Sequence, residues 1–222
     1  MKKSKKLILF GEGLYTEIAH QYFNDDSEYE VVCFTKDDDY ITSDEYRGLP
    51  MVQFSKIQDL YPPNEHDMHI ALSYTDLNHL RKKKFYEAKE KGYVLPSYIS
   101  SRSSIMTKHP IGENCFIFED NTVQPFVKIE DNIILWSGNH IGHHSTIKSH
   151  NFLSSHVVVS GQCTVGSNCF IGVNSTIGHM VQIGEETLVG AGSVITKDTE
   201  RGSVYVPARS VKLDKPSSSF KL

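Results

Sequence analysis

Six of the eleven histidines lie within forty residues of one another in the second half of the chain: His140, His143, His144, His150, His156 and His179. An imidazole titrates near neutral pH, so it can take a proton from an attacking amine or hydroxyl, and it is also a common metal ligand. Most histidines in such a cluster are expected to be ordinary surface side chains. Their spacing has to indicate which of them does chemistry.

A second candidate is the turn at residues 11–13, Gly-Glu-Gly, which follows a short apolar stretch. Backbone N–H groups of Gly11, Glu12 and Gly13 at the start of a helix can hold the pyrophosphate of a nucleotide. The third glycine of a dinucleotide fingerprint falls on Thr16, so a plain strand-to-helix turn explains the motif equally well. Asp37 and Asp38, just past the second expected strand, would then receive ribose or base, and Ser73 and Tyr74, at the end of the third, are expected to line the same crevice.

The composition is that of an ordinary folded protein, with 39% hydrophobic and 23% charged residues. A net charge of −4 argues against nucleic acid or an anionic membrane surface as a partner, since both call for a basic face. The N-terminal apolar run is too short for a secretory signal, and no run approaches the ~18 apolar residues of a membrane span. The four cysteines show no CxxC pairing, which favours a reducing cytoplasm.

Strands and helices alternate over residues 1–96, which predicts a small α/β unit with a parallel sheet. Strands are expected at residues 7–10, 29–35 and 69–74, and a charged helix at residues 77–91. The basic run at residues 80–84 is expected to be a solvated face of that helix. The unit is too short for the two mononucleotide halves of a dinucleotide-binding fold.

Residues 111–195 carry an aliphatic residue at every sixth position, fifteen times without a break. Glycine often follows the aliphatic residue, and the fifth position is often small. This period fits neither an α-helix nor strand alternation, but it fits a parallel β-helix whose three-sided coils have eighteen residues each. We expect five uninterrupted coils, with the aliphatic residues in the core, glycine relieving the turns, and the cysteines as core filler.

The unbroken array, the segments IGHHST and NCFIGVNSTIG, and the closing VPAR at residues 206–209 resemble the left-handed β-helix acyltransferases. With the α/β unit in front, residues 5–210 are similar to the bacterial nucleotide-amino-sugar N-acetyltransferases of the bacillosamine and sialic-acid pathway type. The resemblance implies a homotrimer that binds acetyl-CoA between adjacent β-helices and a nucleotide-linked amino sugar, without a metal ion. It implies a Rossmann-like substrate domain at residues 1–96, a β-helix domain at 97–210 and a tail at 211–222.

The catalytic histidine of that family falls on His143, and its oxyanion donor falls on the N–H of Gly161, eighteen residues later and therefore one coil away. The chemistry fits, because a sugar ammonium must lose a proton before it attacks the thioester and the tetrahedral oxyanion needs a backbone N–H. The candidate CoA-binding residues are Phe152, His156, Val173, Gly190, Ala191, Lys197 and Arg209. Lys197 and Arg209 are the expected partners of the CoA phosphates.

Three positions depart from the family pattern. The residue after the catalytic histidine is commonly acidic, but here it is His144, which joins the catalytic candidates. A second histidine that meets the acetyl group in some relatives falls on Phe152, with His150 and His156 nearby as substitutes. The glycine-rich turn is GEGLY, so Glu12 brings a carboxylate toward the phosphates, which is unfavourable.

Other functions remain open from the sequence. A β-helix zinc lyase of the carbonic anhydrase type needs three protein ligands, and neither His143 nor His179 has an accompanying His-x4-His pair. A non-catalytic scaffold would bind no acetyl-CoA. We expect acetyl transfer to the amino group of a dTDP-, UDP- or GDP-linked deoxysugar for a surface glycan, and O-acetylation of a sugar such as a sialic acid is the nearest alternative.

Overall fold

The computed structural model describes residues 2–210, 212, 214 and 217–219. The N-terminal part contains five strands and three helices, with short 3-10 turns at Asp38–Tyr40 and Phe54–Lys56 and another at Ser217–Ser219 near the C-terminus. In chain order its elements are β1 (Lys5–Phe10), α1 (Leu14–Asp25), β2 (Tyr29–Lys36), β3 (Glu45–Tyr46), β4 (Leu49–Gln53), α2 (Ile57–Leu60), β5 (Asp67–Ile70) and α3 (His79–Glu90).

The N-terminal sheet has the strand order β3-β4-β2-β1-β5, and only the short β3 runs antiparallel to its neighbour. Strands β1 and β2 match their sequence predictions within two residues at each end. The third predicted strand was wrong in extent, because β5 begins at Asp67 and ends at Ile70. Ser73 and Tyr74 therefore do not end a strand, and they lie in the loop that leads to α3.

From Tyr98 onward the chain forms a parallel β-helix with three flat faces, each a ladder of two-residue strands. Face 1 contains Tyr98–Ile99, Phe116–Ile117, Ile134–Leu135, Phe152–Leu153, Phe170–Ile171, Leu188–Val189 and Val204–Tyr205. Face 2 contains Ser104–Ile105, Thr122–Val123, His140–Ile141, Val158–Val159, Thr176–Ile177 and Val194–Ile195. Face 3 contains Lys128–Ile129, Thr146–Ile147, Thr164–Val165 and Gln182–Ile183.

The aliphatic residues that recur at every sixth position form the core of the β-helix, as predicted. From Ile117 to Ile195 every one of these residues is buried in a single cluster, and Ile111 packs against it half-buried. Cys115, Cys163 and Cys169 fill the same interior with free thiols. Strand pairs at residues 98–99 and 104–105 extend the coil before the first predicted repeat.

The glycines of the repeat act differently from the sequence prediction. The left-handed backbone at each corner falls two residues later, for example at Asn132 (φ 58°) and His144 (φ 59°). A Cβ on Gly142 would instead lie 2.6 Å from the backbone nitrogen of Gly161, and one on Gly172 would lie 2.5 Å from that of Ala191. These glycines therefore let successive coils approach closely.

Face 1 carries an outward aromatic stripe that receives the N-terminal part. Its large outward side chains recur every eighteen residues: Tyr98, Phe116, Ile134, Phe152 and Phe170. The Phe116 ring lies 5.8 Å from Phe23 and 6.0 Å from Tyr22, both on α1. Burial of this apolar surface holds the α/β unit against one face of the β-helix.

Helix α3 packs on the corner between faces 3 and 1, so the prediction of a solvated basic face was wrong for two of its residues. Arg81 is 1% exposed and donates to the carbonyl oxygens of Ser73, Asn132 and Asn151. Lys84 is 4% exposed. Burial is the largest influence on Arg81 and lowers its pKa to about 10, so it remains charged at neutral pH.

Candidate functional site

His143 and His144 stand side by side, both exposed, at the corner between faces 2 and 3, here called the histidine corner. Their Nδ1 atoms are 3.1 Å apart, which allows one imidazole to donate a hydrogen bond to the other. The ring of His144 stacks on Phe126 with centroids 4.6 Å apart. Because His143 meets His144 through Nδ1, the Nε2 edge of the His143 ring points away from His144.

Gly161 lies one coil beyond His143, as the sequence spacing predicts. A Cβ built on it would lie 2.7 Å from both Cε1 and Nε2 of His143, so only glycine leaves room for this ring. The N–H of Gly161 has no acceptor among the described residues. The His143 ring therefore lies against the backbone of Gly161, whose N–H is not used by another described group.

A column of residues follows the histidine corner along four coils. The strands at Ile141, Val159, Ile177 and Ile195 pair in register, so the residues two positions later align: His143, Gly161, His179 and Lys197. The rings of His143 and His179 approach to 6.5 Å across the bare backbone of Gly161. With adjacent strands about 4.8 Å apart, the column is roughly 14 Å long.

A cleft of about 700 Å³, here called the aromatic cleft, lies between the α/β unit and face 1. Its floor consists of Trp136, Phe152 and Phe170, and Tyr74 covers the last two with ring centroids 4.9 Å from each. Glu12, Gly13, Ser73 and Val173 also line it. Four residues predicted to bind substrate therefore line the same cleft as two predicted to bind CoA. The first four are Glu12, Gly13, Ser73 and Tyr74, and the other two are Phe152 and Val173.

A second cleft of about 820 Å³, here called the charged cleft, lies at the carboxyl ends of β1 and β2. Predicted substrate residues Gly11, Glu12, Asp37 and Asp38 line it. Three lysines that were not predicted to bind substrate also line it: Lys36, and Lys83 and Lys84 from the basic run of α3. The carboxyl ends of parallel strands are where open α/β sheets bind ligands.

Two lysines with largely buried side chains form the ion pairs of the charged cleft. Lys36 pairs with Glu12, and Lys84 pairs with Asp37 and with Glu87 (2.6 Å). Burial lowers the pKa of Lys84, but the hydrogen bonds to the two carboxylates outweigh it and leave the pKa raised. The carboxylate of Glu12, unfavourable for a phosphate on sequence grounds, therefore has a counter-ion.

The remaining predicted residues lie away from the histidine corner. His156 lies at the corner between faces 1 and 2, where its ring fills the space above Gly138. Val173 and Ala191 are exposed one coil apart at that same corner, and Gly190 precedes Ala191. Arg209 is exposed beyond the last strand of face 1.

His150, which the sequence offered as a substitute for Phe152, is 3% exposed against α3. Its Nδ1 lies 2.9 Å from the side-chain nitrogen of Asn132 and its Nε2 lies 3.3 Å from the Tyr86 hydroxyl. Burial is the main cause that lowers its pKa to about 3, so it is neutral at physiological pH. His150 serves the packing of α3 rather than the histidine corner.

Within residues 2–210 and the few described beyond them, no group of three or more His, Cys, Asp or Glu side chains is arranged to hold a metal ion. The histidine corner contributes imidazoles from His143, His144 and His179 without forming such a group. Among the helices of the described residues, none is long and apolar enough to cross a membrane.

Comparison with known proteins identifies the repeat and the fold. Residues 162–197 match the hexapeptide repeat of succinyl-transferase. Sequence comparison with curated proteins finds no match.

Among solved structures, the chain is similar to the acetyltransferase domain of PglB from Neisseria gonorrhoeae FA1090 in complex with acetyl coenzyme A. The TM-score is 0.79 at 21% identity over 90% of this chain and 95% of that one. It is also similar to a mutant of perosamine N-acetyltransferase from Caulobacter crescentus in complex with CoA and GDP-perosamine, with a TM-score of 0.79 at 20% identity over 92% and 95%. WeeI from Acinetobacter baumannii AYE gives a TM-score of 0.78 at 18% identity over 92% and 97%.

The chain therefore has the fold of these proteins, an α/β unit followed by a hexapeptide-repeat β-helix, over nine-tenths of its length. At such identities the likeness establishes the fold, and the particular reaction has to be argued from this chain's own residues.

Proposed function

We propose that the protein is an acetyl-CoA-dependent N-acetyltransferase that acts on the amino group of a nucleotide-linked amino-deoxysugar. The observation that carries the proposal is the histidine corner, where the exposed imidazole of His143 lies against the backbone of Gly161, whose N–H donates to no described group. A base beside an oxyanion donor is what attack of an amine on a thioester requires. Solved proteins of the same fold include an acetyltransferase domain with acetyl-CoA and an N-acetyltransferase with GDP-perosamine.

In this proposal His143 Nε2 takes the proton from the sugar nitrogen, and the N–H of Gly161 donates to the oxyanion. The column from His143 to Lys197 gives acetyl-CoA an extended track along the corner, and the positive charge of Lys197 would pair with a phosphate. The charged cleft and the Gly11–Gly13 turn would anchor the nucleotide, with Ser73 and Tyr74 facing the sugar.

The site is incomplete within one chain, which supports a homotrimer of left-handed β-helices as the working unit. The aromatic cleft is lined by residues of face 1 and of the corner between faces 1 and 2. His143 lies at a different corner of the β-helix, the one between faces 2 and 3. A second copy that presents its histidine corner to the cleft would complete the constellation. The domain limits at residues 96 and 210 belong to the same proposal, and the predicted tail at 211–222 lies largely outside the described residues.

A cytoplasmic location remains part of the proposal, supported by four cysteines that are all buried free thiols. The acceptor could also be a sugar hydroxyl, because the same base and donor serve O-acetylation. The aromatic cleft favours the amine, since its one ionised lining side chain is the carboxylate of Glu12, which suits an ammonium group.

The test is thiol release from acetyl-CoA, offered with dTDP-, UDP- and GDP-linked 3-amino and 4-amino deoxysugars. We expect one conjugate to support turnover and His143→Ala to lower kcat by about 10²–10⁴-fold, the usual contribution of a general base. The matched control is His109→Ala, which changes an exposed histidine outside the histidine corner. Turnover with a hydroxyl sugar and with no amino sugar would replace the proposal by O-acetylation.

A further inference from the structure

Glu12 stands between the two clefts and lines both of them. It lies in the turn between β1 and α1, while its partner Lys36 is the last residue of the neighbouring strand β2. The Glu12 side chain is 41% exposed, whereas that of Lys36 is 11% exposed. The ion pair is therefore the partition between the aromatic and the charged cleft, with its acidic member more accessible to a ligand.

The two clefts differ in the charges they offer a ligand. In the charged cleft, Lys84 is already held by Asp37 and Glu87, and Lys83 lies 3.7 Å from Glu87. Lys36 has a single ionic partner, Glu12, among the described residues. A diphosphate that binds Lys36 therefore competes with a single carboxylate, that of Glu12.

On the other side, the aromatic cleft would receive the carboxylate that this competition releases. Apart from Glu12, its lining consists of aromatic, aliphatic, glycine and hydroxyl-bearing residues. Rings such as Trp136 and Phe152 attract cations to their faces and also pack against the C–H faces of a sugar. A cleft with this wall and one carboxylate fits a cationic sugar.

Resting on the proposed function, we infer that the Glu12–Lys36 pair opens on substrate binding, with the diphosphate taking Lys36 and the amino group of the sugar taking Glu12. The exchange keeps the charges balanced, because one anion and one cation of the ligand replace the two halves of the ion pair. A bare nucleoside diphosphate would leave Glu12 unpaired beside negative phosphates, which is unfavourable.

The same exchange makes the reaction product a weaker ligand than the substrate. Overall, R–NH₃⁺ and acetyl-S-CoA give R–NH–CO–CH₃, HS-CoA and one proton: the nitrogen forms the N–C bond, the C–S bond breaks, and the sulfur leaves as the thiol. The product amide is neutral, so Glu12 loses its cation when the acetyl group is transferred. Glu12 is thus a specificity-determining residue that distinguishes the amine from its acetylated product.

The experiment measures equilibrium binding by titration calorimetry of three ligands: the nucleoside diphosphate of the conjugate that supports turnover, the amino-sugar conjugate, and its N-acetyl product. For the unaltered protein we expect the amino sugar to bind at least about tenfold tighter than the product, the scale of one well-formed charge contact. Glu12→Gln should reduce that ratio to below about twofold and tighten the bare diphosphate several-fold, because Lys36 is then free.

The matched control is Glu28→Gln, which removes the acidic member of another Lys–Glu pair, with Lys5 at 2.7 Å, at the opposite end of β1 and β2. This variant should keep all three affinities. Lys36→Gln should weaken all ligands that carry a diphosphate, with the substrate-to-product ratio changed less than by Glu12→Gln.

Two results would overturn the inference. A substrate-to-product ratio that is the same in Glu12→Gln as in the unaltered protein, while turnover persists, removes the role of Glu12 and leaves the proposed function standing. The absence of turnover with every amino sugar removes the proposed function, and this inference with it.

Discussion

His143 and His144 face each other through their Nδ1 atoms at 3.1 Å, while the opposite edge of the His143 ring meets the backbone of Gly161. Only one of two facing imidazole nitrogens can donate in the neutral pair, so the bond fixes complementary tautomers. If His143 donates from Nδ1, its Nε2 carries the lone pair beside Gly161. The stack of His144 on Phe126 holds the accepting ring in place.

This relationship predicts that His144 acts as a hydrogen-bond acceptor that positions His143. His144→Phe keeps a ring to stack on Phe126 but removes the acceptor, so we expect kcat to fall about tenfold or more with a smaller change in the KM for acetyl-CoA. His144→Glu supplies an acceptor again, and kcat should return to within a few-fold of the original. Equal loss in both variants would show that His144 has only a structural role.

Gly161→Ala tests the space that the base requires. The new methyl group would lie 2.7 Å from two atoms of the His143 ring, so the imidazole has to move, and we expect kcat to fall about 10²-fold. The control is Gly178→Ala, whose Cβ would meet its nearest atom, the carbonyl oxygen of Ile195, at 3.2 Å. Steady-state rates should separate the two variants while circular dichroism shows both folded.

The β-helix could be predicted almost completely from the sequence because one local rule repeats. Each hexad needs an inward aliphatic residue, and an unbroken series from Ile111 to Ile195 leaves no other fold that buries them all. The registration of His143 above Gly161 follows from the same eighteen-residue coil. The six-residue period therefore predicts both the β-helix and the position of His143 one coil from Gly161.

The surface that receives the α/β unit has a longer period and was missed. Phe116, Phe152 and Phe170 stand on one face because they lie a multiple of eighteen residues apart, and reading every third hexad would have revealed the stripe. The partnership of Glu12 with Lys36 could not be read in this way, because it depends on which strands of the sheet are neighbours. The two clefts likewise depend on how the parts dock.

The aromatic cleft predicts that a change in its floor weakens binding of the amino sugar more than binding of acetyl-CoA. Trp136→Ala removes part of the floor, and we expect the KM of the amino-sugar conjugate to rise about tenfold, as one lost base- or sugar-stacking ring costs roughly 1–2 kcal/mol. The KM of acetyl-CoA should change less. The control is Leu60→Ala, which removes an exposed apolar side chain that lines neither cleft. Equal effects of the two variants on KM would contradict a sugar site in the aromatic cleft.

Replacement of Arg81 is expected to lower the stability of the protein strongly, because Arg81 joins α3 to the β-helix. Arg81→Leu leaves the carbonyl oxygens of Ser73 and Asn132 without this donor, whereas that of Asn151 still accepts from the N–H of Ile134. Each unsatisfied buried group costs about 1–3 kcal/mol. We expect a clear fall in the midpoint of thermal unfolding. The control is Glu90→Ala, an exposed position on the same helix. A midpoint as high as that of the control would mean that water or neighbouring groups replace the guanidinium.

Two buried histidines predict that the protein loses stability in mild acid. Burial lowers the pKa of His69 to about 4 and that of His150 to about 3, and the positive charges of Lys82 and Arg81 lower His150 further. In the unfolded chain both take up a proton near pH 6.5. Between about pH 6.5 and 4 the unfolded state therefore binds more protons, and each histidine lowers the free energy of unfolding by up to about 1.4 kcal/mol per pH unit as the pH falls.

The variant His150→Gln removes one of these two titrating groups and leaves His69 in place. Glutamine can still accept from Asn132 and donate to Tyr86, but it does not titrate, so the variant should lose stability less steeply with falling pH. The measurement is the free energy of unfolding in urea at several pH values from 7.5 to 5, at one protein concentration, with the exposed His109→Gln as control. We expect the control to follow the unaltered protein, whereas a His150→Gln slope equal to that of the control would mean that His150 takes up its proton in the folded state.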